Sequence, residues 1–298
     1  MKNTRLTDLI ATRNDDIGIE NYRIRYATER FLTRLSASQY KEKFVLKGGF
    51  LIGVTYNLSQ RTTKDLDTAL IDFKSDAQSI ERVITEICNI DLEDQVLFKL
   101  KELTSSQDMR IYPGYRAKLK MMFPDGNTRI DFDLDIGVGD RITPEAKKIK
   151  IPLIFNEVKG VEKQIEVLAY PKETIQAEKL ETILTRGKVN TRMKDYYDFH
   201  LLLTDQENSN SISFYYAFKN TWEFRNPTQL IDEELFEDWL FILDEILESK
   251  ELKKKYWPNY IKDRNYAKHL NIDDIISEIK EFVSKLKEEY IKENMSRN

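Results

Sequence analysis

Apolar residues recur through positions 18–41 at three- and four-residue spacing. Ile24, Ala27, Phe31 and Leu35 form one stripe, which predicts an amphipathic helix. The run FVL at 44–46 predicts a short buried strand. GGFLIGVTYN, directly after it, predicts a short apolar helix opened by two glycines. DLDTALIDF (65–73) predicts a strand, because acidic and apolar residues alternate at its start. SDAQSIERVITEICNI (75–90) has the pattern of an amphipathic helix, with Ser75 as its N-cap and Gln78 three residues on.

Residues 94–136 read as a β-meander. Pro113-Gly114 and PDGN (124–127) mark its turns. RIDFDLDIGVGD (129–140) keeps strict period two. Ile130, Phe132, Leu134 and Ile136 share one face, and Asp131, Asp133 and Asp135 share the other. IKIPLIF and QIEVLAY predict two further short strands. From about residue 171 the period becomes helical. PKETIQAEKLETILTRGK starts at Pro171, MKDYYDFHLLL follows, and the remainder is nearly all helix pattern. The aromatic stripe Phe214, Tyr215, Phe218 and Trp222 is placed in a helical core. The expected organisation is an α/β or α+β N-terminal domain over 1–170 and an all-helical domain over 171–298, without internal repeats.

Composition narrows the possibilities. A chain of 298 residues with 41% hydrophobic content suffices for about two domains. The net charge is −4, so the molecule as a whole is no basic glove for nucleic acid. The local basic run KELKKKYW (250–257) is either a solvated helix face or a contact for RNA. The single cysteine, Cys88, lies at helical spacing and is expected to be a buried, inert thiol. The opening MKNTRLTDLIATRNDD lacks the apolar core of a secretory signal. The apolar runs fall far short of the roughly 18–20 residues that span a bilayer. A soluble, cytoplasmic protein without a membrane partner is expected.

The informative chemistry is acidic. Asp65 and Asp67 lie two apart on one strand and point the same way, as do Asp131, Asp133 and Asp135. Such rows on neighbouring strands repel one another unless a cation sits among them. Hard divalent cations prefer carboxylate oxygens, and Mg²⁺ takes one or two of them plus waters and phosphates. Gly48 and Gly49 end a strand and open a helix whose free N–H groups form an anion site. The order puts a phosphate cradle beside a metal cradle, which suits a nucleoside triphosphate with Mg²⁺. The bland alternative is a set of solvent-facing strand aspartates.

A GG at a helix start, then DxD, then a third carboxylate on a later strand, resembles the polymerase-β-like nucleotidyltransferase superfamily. The segments LKGGFLIG, RTTKDLD, LDIGVGDRITP, KETIQAEKLETILTRG and RMKDYYDFHLL, in that order over about 44–203, are similar to AbiEii-type toxins of type IV (AbiE) toxin–antitoxin and abortive-infection systems. The resemblance implies an α+β fold: a mixed sheet with flanking helices, then a helical domain that completes the active-site cleft. It implies an Mg²⁺-dependent nucleotidyltransferase toxin acting in antiviral abortive infection, which moves a nucleotide from an NTP, GTP suspected, to an acceptor such as RNA or tRNA. It also implies a separately encoded antitoxin that forms no stable complex. Carried over by position, Gly48 and Gly49 hold the triphosphate and Asp65 and Asp67 ligate Mg²⁺. Asp135, or Asp133, is the third carboxylate. Lys179 supplies positive charge to the triphosphate, and Asp195 orients Lys179, the base or the acceptor, with Asp198 one turn further.

Structural roles stand beside these. Lys179 read alone is a solvated helical lysine, and Asp195 and Asp198 suit the N-terminal dipole of their helix. Arg61 contacts phosphate or an acidic neighbour. Arg186 and Arg192 bind phosphate or RNA, or are simply loop charges, and His200 is packed or capping. Two rival functions remain: an aminoglycoside-type small-molecule nucleotidyltransferase, and an NTP-sensing protein without turnover.

Overall fold

A computed structural model describes residues 2–13, 15, 17–57, 65–105, 114–124, 128–155, 164–205 and 211–297. The chain divides into two compact units. One comprises 1–140 with 146–170, the other 141–145 with 171–298.

In the first unit, α1 (Asn3–Ala11) and α2 (Ile19–Ala37) precede β1 (Phe44–Lys47), α3 (Gly48–Thr55) and β2 (Asp65–Leu70). Then come α4 (Ala77–Cys88), β3 (Leu97–Ser105), β4 (Gly114–Met122), β5 (Arg129–Val138), β6 (Lys147–Pro152) and β7 (Gln164–Ala169). The seven strands form one mixed sheet in the order β3-β4-β5-β2-β1-β7-β6. The pairs β1/β7 and β2/β5 are parallel and the others antiparallel. The meander expected over 94–136 is the antiparallel run β3-β4-β5. The turn residues 113 and 125–127 lie outside the described residues.

The apolar face of β5 is buried along its length, at Ile130, Phe132, Leu134 and Ile136. Phe31 of α2 packs on it, with ring centroids 6.1 Å from both Phe132 and Phe98. Side chains of this size contribute roughly 1.5–3 kcal/mol each when fully buried. Arg34, also on α2, donates to Asp94 at 2.8 and 2.9 Å and to the Val96 carbonyl at 2.9 Å. This bidentate pair fixes the chain entering β3.

Two local expectations are corrected. The strand starting at Asp65 ends at Leu70, not at Phe73. The helix over 77–88 is capped by Asp76 and not by Ser75, because the Asp76 carboxylate accepts from the Ser79 N–H at 2.9 Å. Ile80, Val83, Ile84 and Ile87 form its buried face, and Cys88 is buried with them. Burial pushes the Cys88 thiol up to about 12. The thiolate is therefore scarce at neutral pH. In native protein at pH 8 a thiol reagent such as DTNB is expected to leave Cys88 unmodified for hours, and to react within minutes in 6 M guanidinium. Rapid native labelling would show that this helix opens readily.

The second unit contains α5 (Lys172–Arg186), α6 (Met193–Thr204), α7 (Ser211–Arg225), α8 (Glu233–Leu247), the short α9 (Trp257–Ile261) and α10 (Ile272–Arg297). Pro171, in extended conformation, is the N-cap of α5. Its fixed φ suits helix entry and its missing N–H leaves no donor to satisfy. The aromatic stripe of α7 is core, as the pattern implied. Phe214 packs on Phe282 at 4.6 Å, Phe218 on Trp239 at 5.3 Å and Trp222 on Trp239 at 4.6 Å. In the basic run, Leu252 and Trp257 are buried and Lys253 pairs with Asp273 at 2.9 Å. Lys254 and Lys255 are exposed. None of the described helices is long and apolar enough to cross a membrane.

Candidate active site

In the first unit, strand register assembles the charged residues. Lys47 is the last residue of β1 and lies opposite Asp67. Asp67 lies opposite Asp135, and Asp65 opposite Asp133. Asp135 in turn lies opposite Arg116 of β4. Because side chains alternate, Lys47, Asp67, Asp135 and Arg116 form one row of charges across four strands, plus–minus–minus–plus. Adjacent strands are about 4.8 Å apart. Asp65, Asp67, Asp133 and Asp135 are half-buried, and the residues between them, Leu66 and Leu134, are buried.

Gly48 opens α3 with φ +69°, a conformation that favours glycine. A Cβ there would lie 2.6 Å from Asp67 Cγ and 2.7 Å from its Cβ. The Asp67 side chain therefore rests against the bare backbone at the mouth of α3. The glycine serves two purposes at once, the turn out of β1 and the space for Asp67.

Fixed cations stand at both ends of the row. Arg116 donates from Nε to Asp135 Oδ1 at 2.6 Å and from Nη2 to Oδ2 at 2.7 Å. The hydrogen bonds to Asp135 hold the guanidinium above its already high ordinary pKa, and the charges of Asp65 and Asp133 add to this. At the other end, Lys47 Nζ lies 2.6 Å from Asp140 Oδ2, and the Tyr170 hydroxyl donates to the same oxygen at 2.8 Å. Lys47 also sits 5.2 Å from the centre of the Tyr170 ring. Among the described residues no cluster of three or more His, Cys, Asp or Glu is arranged to hold a metal ion. Asp65 and Asp67 nevertheless suit a hard divalent ion that draws its other ligands from water and phosphate. Arg61 lies outside the described residues.

The second unit carries its own charged cluster. Lys179 of α5 reaches α6, with Nζ 2.6 Å from Asp195 Oδ1 and 2.9 Å from Asp198 Oδ2. Arg192 Nε lies 3.1 Å from Asp195 Oδ2. Side-chain exposure is 1% for Asp195 and 0% for Asp198, against 12% for Lys179. Lys179 is thus the charge partner of two buried carboxylates and no solvated helical lysine. Burial alone would raise the Asp195 carboxyl. The charges of Lys179 and then Arg192 outweigh it and hold the group below its ordinary value. Asp195 also lies in the first turn of α6, so the helix-dipole role holds as well. Behind the cluster, Arg225 of α7 binds Glu178 at 2.7 Å and Glu181 at 2.9 Å, which orients α5. Arg186 is exposed, whereas Arg192 joins the cluster. His200 is packed against Glu278, Nδ1 to Oε2 2.6 Å.

The family description "Nucleotidyl transferase AbiEii toxin, Type IV TA system" matches residues 30–278, most of the chain and both clusters. The chain belongs to the AbiEii nucleotidyltransferase toxin family. As an AbiEii protein it is a nucleotidyltransferase, with an NTP as substrate and a separately encoded antitoxin. Its fold is similar to MenT4, a nucleotidyltransferase toxin from Mycobacterium tuberculosis H37Rv, at TM-score 0.60 and 14% identity over 95% of this chain and 90% of that one. It is also similar to JHP933 from Helicobacter pylori, at TM-score 0.51 and 15% identity over 95% and 98%. No curated protein matches the sequence significantly.

The motif pattern had not singled out two parts of the charged row. Arg116 was one, and Lys47 with Asp140 and Tyr170 the other. A signal for the first was available. RAKLK (116–120) and DFDLD (131–135) alternate charges of opposite sign at period two, and the β4/β5 register pairs Arg116, Lys118 and Lys120 with Asp135, Asp133 and Asp131. The Lys47 group had no comparable signal, because its three residues come from separate strand ends.

Proposed function

We propose that this AbiEii-family enzyme transfers a nucleotide from Mg²⁺-bound NTP, with GTP as the favoured donor, to RNA, with tRNA the first acceptor to test. The observation that carries the donor site is the packing of Asp67 against Gly48, beside Asp65 and in register with Asp135. It joins a glycine-opened helix N-terminus, suited to phosphate, to a pair of hard oxygen donors.

In this reading Gly48 and Gly49 present backbone N–H groups to the triphosphate. Asp65 and Asp67 hold the divalent ion, which when bound neutralises phosphate charge. Asp135, or Asp133 one step along the register, is the third carboxylate of the row. Lys179 is the catalytic lysine of this reading, and Asp195 and Asp198 hold its ammonium in place. An acceptor hydroxyl loses its proton and attacks the α-phosphorus in line, and pyrophosphate leaves. Such a transfer needs positioning and charge neutralisation more than covalent help from the protein. Depletion of a functional RNA end would arrest growth, which fits abortive infection of phage-infected cells in the cytoplasm. The antitoxin would then act without a stable complex.

The decisive assay incubates purified protein with total tRNA, Mg²⁺ and each α-labelled NTP in turn, with an Asp67→Ala control. Label should enter RNA with one NTP, GTP, and should not enter in the control. Label entering an added aminoglycoside and not RNA would replace the RNA reading with a small-molecule one. Tight Mg–NTP binding with no pyrophosphate release would make the chain a nucleotide sensor.

A further inference from the structure

We propose that the solvent-facing side of the β3-β4-β5 meander is a phosphodiester track, on which the backbone of the RNA acceptor lies as it approaches the carboxylate row. This deepens the reading of RNA as the acceptor and rests on it.

Three features carry the proposal. The first is an unbalanced charge pattern. The register places Lys99 of β3 directly opposite Lys120 of β4. Like charges directly opposite one another destabilise a strand pair. Next along that row is Asp131 of β5. Lys101, at the bulge between Leu100 and Glu102, already lies 3.6 Å from its carboxylate. Three ammonium groups thus share one carboxylate, and among the described residues Lys99 and Lys120 form no ion pair. Arg129, opposite Met122 one row further out, adds another exposed cation. A bound polyanion removes this repulsion and releases counterions as it does so. The second feature is access. α2 packs on the opposite face of the meander, through Phe31 against Phe98 and Phe132. Lys99, Lys101, Lys118 and Arg129 are exposed on this one. The third is direction. The same face carries the rows Glu102–Lys118–Asp133 and Thr104–Arg116–Asp135. Positive charge over β3 and β4 therefore gives way to carboxylates over β5 and β2. Asp131 and Asp135 are about 14 Å apart along β5. A strand of RNA held at Lys99 and Lys120 reaches the carboxylate row within a few nucleotides.

The functional consequence is a division of roles. Lysine contacts to phosphate position a nucleic acid without reading its sequence. The track holds RNA in general, and the groups at the carboxylate row select the acceptor end.

The test measures binding of labelled total tRNA to the full-length chain over a range of salt concentrations. Lys99→Gln combined with Lys120→Gln should make the slope of log K against log salt shallower by about two, and should raise KM for tRNA in the transfer assay. Lys254→Gln combined with Lys255→Gln, in the exposed basic run of the second unit, should leave the slope as in wild type. Lys99→Glu separates binding from folding. It replaces a repulsive pair with an attractive one, so the melting temperature should rise by about 1–4 °C while tRNA binding weakens. Three results would each overturn the track and leave RNA as the acceptor: an unchanged slope in the Lys99 and Lys120 double variant, an equal loss in the Lys254 and Lys255 one, or a melting temperature that falls in Lys99→Glu together with tRNA binding. No salt-dependent tRNA binding by wild type would overturn the RNA reading itself, and the proposal with it.

Discussion

Lys179→Met should abolish nucleotidyl transfer and lower the melting temperature by about 10 °C at pH 7. The stability loss follows from burial. Asp195 and Asp198 are almost wholly shielded from water, and Lys179 is within 3 Å of both. Removing one partner of a buried ion pair costs about 3–5 kcal/mol, because the other charge stays behind in a poor solvent. For a unit of this size each kcal/mol moves the midpoint by roughly 2–4 °C. Arg192 still faces Asp195 and offsets part of the loss.

The pH dependence gives the same prediction a second readout. In the native protein Asp195 is held below its ordinary value. Its contribution to stability is present above the unfolded carboxyl value of about 3.9 and fades as pH falls through the native one. In Lys179→Met the lowering charge is gone, burial dominates, and the carboxyl moves up. Protonation then relieves the variant as pH falls towards the unfolded value, while the wild-type contribution stays in full until pH falls below that value. The melting curves of the two proteins should converge between pH 7 and pH 4. A gap that stays constant with pH would mean that Lys179 contributes packing and not charge.

Gly48→Ala should reduce transfer at least about 100-fold while the protein stays folded. The backbone at φ +69° costs an alanine about 1–2 kcal/mol. The larger effect is local. The new methyl occupies the volume of the Asp67 side chain, with Cγ 2.6 Å away, so either the helix mouth or the carboxylate must move. A displacement near 1 Å at a reacting centre is enough for about 100-fold. Measuring kcat and the unfolding midpoint on the same preparation separates the two effects. Normal kcat in a folded Gly48→Ala protein would remove Asp67 and the helix mouth from the donor site.

The chain's local patterns carried much of this protein. Period-two alternation placed Asp131, Asp133 and Asp135 on one face of a strand, and helical spacing placed Phe214, Phe218 and Trp222 in a core. These are properties of a single element, and the residues next along the chain decide them. The ordered motifs from LKGGFLIG to RMKDYYDFHLL carried the family, and with it the nucleotidyltransferase fold. The N-cap of α4 was misjudged by one residue, because Ser75 and Asp76 both suit a cap and only the backbone geometry selects between them.

Tertiary structure decided the pairings. Nothing in DLD or DFDLD says that Asp67 lies beside Asp135 and not beside Asp133, since that depends on the parallel register of two strands far apart in sequence. The same register delivers Arg116 to Asp135 while Lys118 turns to Glu102. Lys179 looks like any solvated lysine until α6 places two buried carboxylates on its ammonium. Sequence by itself determined which side chains share a face and which family the chain resembles. Only the fold decided which charges meet, because electrostatic partners are chosen by distance in space and by burial, neither of which a linear pattern contains.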